Sequence, residues 1–91
     1  MAYLIDTNVL LRWMRLADPD HETAQQAIGR LTAQGERLYV APQSIVEFWY
    51  VATRAVARNG YGLTVVEVEP QIARIERTCL MADDAPAIYS E

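Results

Sequence analysis

Apolar positions along the chain switch between two rhythms. Tyr3-Leu4-Ile5 is a short apolar run of strand type that opens directly onto Asp6-Thr7-Asn8. Val9 to Leu16 follows, with the length and mixed branching of a helix buried on one side, and Thr7 or Asn8 is placed to cap it. Asp18-Pro19-Asp20 reads as a second helix start, with Pro19 in its first turn. Ala24, Ala27, Ile28 and Leu31 then form an amphipathic stripe, and Gly35 stands where a helix C-cap belongs. Leu38-Tyr39-Val40 is a second strand-like run, and Pro42 opens a third helix. Ile45, Phe48, Trp49, Ala52 and Val56 share one face of that helix, while Gln43, Glu47, Tyr50, Arg54 and Arg58 share another. Asn59-Gly60 ends it, and Tyr61-Gly62-Leu63 continues the loop.

Thr64 and Glu67 have the spacing of a capping box for a fourth helix carrying Val65, Val68, Ile72, Ile75 and Cys79. Pro70 lies too deep for the first turn of a helix capped by Thr64. It predicts either a kink there or a later start near Glu69. Leu80-Met81-Ala82 is a third strand-like run, and Asp83-Asp84-Ala85-Pro86 has turn chemistry. The order β-α-α-β-α-α-β predicts an α/β fold, a parallel sheet flanked by helices. Both faces of such a sheet need cover, and three strands with four helices make a thin doubly wound domain. The pattern therefore predicts a single, partial domain over residues 1–91 whose cover is incomplete.

Composition narrows the class of protein. Ninety-one residues that are 52% hydrophobic suit one small domain, not a disordered tail. One cysteine, Cys79, excludes an internal disulfide framework and a cysteine-rich zinc site, which fits a reducing, cytoplasmic setting. No apolar run reaches membrane-spanning length, and Asp6 follows too soon after Met1 for a signal peptide. The net charge is −4, with 12 acids against 8 bases, all of them arginine. Any contact with nucleic acid is therefore local or bridged by cations.

Asp6 is the first polar residue after the first strand, at the sheet end where ligands of open α/β folds gather. By position it is equally a helix cap. Glu47 lies one turn past Pro42, after the second strand, and is otherwise read as a first-turn acid favoured by the helix dipole. Two carboxylates brought together resist joint ionisation unless a cation intervenes, and their oxygens suit hard ions such as Mg²⁺ or Mn²⁺.

Leu4-Ile5-Asp6-Thr7-Asn8-Val9-Leu10 and Pro42-Gln43-Ser44-Ile45-Val46-Glu47-Phe48-Trp49 together resemble the PIN-domain family. Asn59-Gly60-Tyr61-Gly62-Leu63-Thr64 and Ala85-Pro86-Ala87-Ile88-Tyr89 are similar to segments of its bacterial members. The resemblance implies a metal-dependent ribonuclease fold, a parallel sheet flanked by helices and here missing its last strands and helices, and, among bacterial members, a toxin of the VapC type restrained by an antitoxin protein. It implies Asp6 and Glu47 as catalytic, metal-ligating acids for Mg²⁺ or Mn²⁺. Thr7, Asn8 and Ser44 then orient the carboxylates or a bound water. Further family acids, on a later helix and after a later strand, have no counterpart in these 91 residues. Asp83 and Asp84 match a turn instead.

Arg12, Arg15, Arg54 and Arg58 are placed either to contact RNA phosphates or to form a solvated helix surface. His21 reads as exposed, Trp13 and Trp49 as core, and Cys79 as a small buried hydrophobe. Two functions stand against each other. One is a ribonuclease hydrolysing phosphodiester bonds. The other is an inactive, truncated remnant that acts as an interaction module and homo-oligomerises, with its first strand left at a sheet edge and the Trp13 face uncovered. A phosphatase or receiver-type site is weaker, because Asp6-Thr7-Asn8 lacks the second nearby acid such sites use.

Overall fold

The computed structural model describes residues 1–82 and 89–90. The turn expected at Asp83-Asp84-Ala85-Pro86 lies outside the described residues. The elements run β1 (Ala2–Leu4), α1 (Thr7–Met14), α2 (His21–Ala33), β2 (Arg37–Val40), α3 (Pro42–Thr53), a 3₁₀ turn (Val56–Arg58), α4 (Val65–Thr78), β3 (Leu80–Met81) and β4 (Tyr89–Ser90). All pairings are parallel, and the strand order is β3-β2-β1-β4. The chain belongs to the α/β class that the alternation of strands and helices predicts.

The fourth strand corrects one expectation. β1 does not lie at a sheet edge, because Tyr3 pairs with Leu38 on one side and with Tyr89 on the other. The two-residue β4 carries no apolar run long enough to signal a strand on its own. Strand order also reverses at β1: the chain moves outward through β2 and β3, then returns to the far side of β1. Open α/β sheets bind ligands at the carboxyl ends of strands beside such a reversal, and Asp6 follows β1 at that end. Ile5, just past β1, still donates to the Tyr39 carbonyl at 2.8 Å, so the ladder holds the chain up to Asp6.

The core is built from the predicted apolar stripes. Leu10 and Trp13 of α1, Ala24 and Ile28 of α2, Phe48 and Ala52 of α3, and Val68 and Ile75 of α4 are buried with Ile5, Leu38 and Val40 of the sheet. Full burial of a side chain such as Phe48 stabilises the fold by about 1.5–3 kcal/mol. Trp13 is 3% exposed, so the expectation that its face lies uncovered is also corrected. α1 packs against α2 and α3, and Arg74 of α4 sits 5.2 Å from the Trp13 ring. Cys79 is buried at the end of α4, and desolvation pushes its thiol pKa up to about 11.

Helix ends follow local chemistry. Asp6 caps α1, not Thr7 or Asn8, by accepting the Val9 N–H at 3.0 Å. Pro19 precedes α2 instead of entering it, because Asp18 accepts the N–H of Asp20 and closes a turn there. α2 ends in a Schellman motif: Gly35, at φ 75°, donates to Thr32, and Glu36 donates to Leu31. Thr64 and Glu67 form the capping box reciprocally, which settles the start of α4, and the helix continues through Pro70. Pro70 removes one N–H, and the carbonyl this leaves belongs to Val66, a residue open to solvent.

Candidate metal and phosphodiester site

Two turns of chain bring the acids together. Asp6 leaves β1 in extended conformation as the N-cap of α1. Its Oδ1 is held by the Val9 amide, which fixes the carboxylate at the strand end. Glu47 lies on α3, whose Pro42 start follows β2 directly. Because α1 and α3 pack together, Thr7 reaches Glu47: its Oγ1 donates to Glu47 Oε2 at 3.1 Å. The side chain next to one acid thus orients the other.

Asp6, Thr7, Asn8, Glu47, Tyr50 and Arg54 line one open cleft of ≈ 450 Å³, with Leu11 and Val51 as its apolar wall. Leu11 and Val51 were not anticipated as site residues. Helical spacing could have found them, since Leu11 lies four residues past Thr7 and Val51 four past Glu47. Asp6 and Glu47 are both exposed to the cleft, and among the described residues neither is part of an ion pair. Ser44 is half-buried in the first turn of α3 and does not line the cleft.

The arginines divide. Arg54 lines the cleft, where its Nη2 donates to the Asn59 carbonyl at 3.2 Å. Arg58 does not share a helix face with Glu47, because α3 ends at Thr53 and Arg58 belongs to the separate 3₁₀ turn. Val56, expected on the apolar face of that helix, is 72% exposed for the same reason. Arg12 points to Asp20, with Nε 3.9 Å from its carboxylate, and Arg15 stacks on Tyr61. His21 is half-buried, with Nδ1 3.0 Å from the Arg12 carbonyl, so it ties α2 to α1 and is not in the cleft.

Among the described residues no group of three or more His, Cys, Asp or Glu side chains gathers. Two carboxylates in one cleft still fit a hard divalent ion. Mg²⁺ keeps several waters and is commonly held by one or two carboxylates together with substrate phosphate. Neither carboxylate is ion-paired with Arg54, the one base among the described residues that line the cleft, and like charges so placed favour a cation between them. Asp6 Oδ2 and Glu47 Oε1 are the oxygens that no hydrogen bond from the described residues engages.

The fold is a parallel α/β domain with an acid after β1 and a second acid from the next βα unit lining one cleft. A family model described as PIN domain matches residues 3–90, and the chain belongs to that family. The family carries nuclease-type function, generally acts on RNA and is generally dependent on a divalent metal. No curated protein matches the chain at a significant level. Among the described residues no helix is long and apolar enough to cross a membrane.

Proposed function

We propose that this chain is a metal-dependent endoribonuclease, with residues 1–91 acting as one PIN domain. The observation that carries the reading is the convergence of Asp6 and Glu47 on one cleft, with the Thr7 hydroxyl beside Asp6 holding Glu47. Asp6 and Glu47 would hold Mg²⁺ or Mn²⁺. When bound, such an ion supplies charge stabilisation at the phosphoryl oxygens and a more acidic water. The protein's own residues do the rest. The Val9 amide and Thr7 hydroxyl fix the two carboxylates, Asn8 offers an amide at the cleft rim, and Arg54 offers a guanidinium to a phosphate. The open cleft admits a flexible single strand.

The toxin subclass, with an antitoxin protein as partner, self-association and a cytoplasmic setting, belongs to the same proposal. Support for it comes from the resemblance of the Asp6 and Glu47 segments to bacterial members and from a chain with a single buried thiol.

The experiment is cleavage of a mixed RNA pool with Mn²⁺ or Mg²⁺, beside Asp6→Asn, Glu47→Gln and EDTA controls. Cleavage lost in all three controls supports the reading. A folded wild-type chain that binds Mn²⁺ but cuts no RNA would sink it.

A further inference from the structure

A second cavity, of ≈ 340 Å³, opens beside the acid cleft, with Phe48 and Leu63 as apolar lining and Arg15, Tyr61 and Gln71 as its polar members. The Arg15 guanidinium carbon lies 4.2 Å from the centroid of the Tyr61 ring, a cation–π stack. Arg15 is exposed and lines the cavity, so a ligand there can reach it. Two tethers join this cavity to the cleft. Leu11 of the cleft wall precedes Arg15 by about one turn of α1. Val51 of the same wall accepts the Tyr61 N–H at 3.0 Å.

We infer that Arg15, backed by Tyr61, is a base-stacking subsite for single-stranded RNA whose phosphodiester lies in the Asp6–Glu47 cleft. The inference rests on the ribonuclease reading. Unpaired bases stack on guanidinium planes and aromatic rings. An apolar cavity closed on one side by a planar cation, with the Gln71 amide available to a base edge, has that chemistry. Asp6 and Arg15 are nine residues apart, about 13 Å along a helix axis, the length of about four stacked nucleotides at about 3.4 Å each. A chain with net charge −4 must also gather its few cations along the strand it holds. Arg54 lines the cleft and Arg15 lines the second cavity, one cation for each.

The competing role is purely structural, with Arg15 only holding the Tyr61 loop against α1. An abasic walk separates the two. The full-length Asp6→Asn chain, with Mn²⁺, is titrated into a short fluorescein-labelled single-stranded RNA and its abasic derivatives, one position at a time, and anisotropy is read. Loss of the base at one position is expected to weaken binding about tenfold. That position-specific loss disappears in Arg15→Ala. It also disappears in Arg15→Lys, which keeps the charge but not the plane, and whose thermal melting shows that the loop is still held. Losses of equal size at every position, or a position-specific loss that persists in both Arg15 variants, overturn the subsite alone. Absence of RNA binding by both Asp6→Asn and Glu47→Gln, each shown to be folded, overturns the subsite and the ribonuclease reading together.

Discussion

Thr7 donates its hydroxyl to Glu47 across 3.1 Å, although forty positions of chain separate them. This bond couples the start of α1 to the second turn of α3. It also makes Thr7 the residue through which the geometry of the two acids can be altered without removing either. Thr7→Val keeps the shape and loses the donor. The expected result is a fall of about tenfold or more in Mn²⁺ affinity and cleavage, the usual cost of losing a hydrogen bond that orients a ligand. Thr7→Ser should restore most of both. Calorimetric titration with Mn²⁺ checks it, and equal affinity in Thr7→Val and wild type would show the bond to be incidental.

Asp6 has two roles that two substitutions separate. Asparagine caps helices about as well as aspartate, so Asp6→Asn should change urea stability by less than about 0.5 kcal/mol while abolishing cleavage. Asp6→Ala loses the Val9 cap as well and should cost about 1 kcal/mol. Equal stability of the two variants would mean that the cap contributes nothing.

The capping box of α4 makes stability depend on pH in a defined direction. Hydrogen bonds from the Thr64 backbone and side chain hold the Glu67 carboxyl below its ordinary value of 4.5. A depressed folded-state pKa contributes stability that is complete above the unfolded value and is lost as pH falls through the folded one. Wild type should therefore lose more urea resistance than Glu67→Gln when the pH drops from neutrality to below 4.5. Parallel denaturation curves at the two pH values measure the difference, and an identical drop in both proteins would refute it.

Gly60 packs against the backbone of Arg54. A Cβ there would lie 2.0 Å from the Arg54 carbonyl oxygen, too close for either group to stay in place. Gly60→Ala should destabilise the protein by about 1–3 kcal/mol. It should also weaken RNA binding, since Arg54 lines the acid cleft. Asn59→Gly, at a position with φ 64°, should be neutral or nearly so. Thermal melting of the pair decides, and a Gly60→Ala chain as stable as wild type would count against the close packing.

How far the sequence could be read is visible at α3. Its start was legible from Pro42, its buried stripe from Phe48 and Ala52, and Glu47 from its place after an apolar run. Its end was not. The helical period runs on through Val56 and Arg58, yet the helix stops at Thr53. The carbonyls of Val51, Ala52 and Arg54 are taken instead by the amides of Tyr61, Leu63 and Gly62. Those partners come from a loop folding back, which periodicity cannot show. The same limit hid the Arg15–Tyr61 stack and placed Arg58 on the wrong surface. Capping was legible where the donor and acceptor are close in sequence, as at Thr64 and Glu67, and stayed open at α1, where Asp6, Thr7 and Asn8 are adjacent candidates and only the Val9 amide contact selects Asp6.

The interior position of β1 has a consequence for synthesis. Tyr3 and Tyr89 are register partners, so one side of β1 stays open until nearly all of these residues have emerged from the ribosome. Pairing over such a separation is slow to form. Through that interval the strand leading to Asp6 offers unpaired amides and carbonyls to any extended peptide nearby. Among the described residues the acid cleft itself is lined only by those between Asp6 and Arg54, so the nascent chain carries both acids and their cleft well before β4 closes the far side of β1.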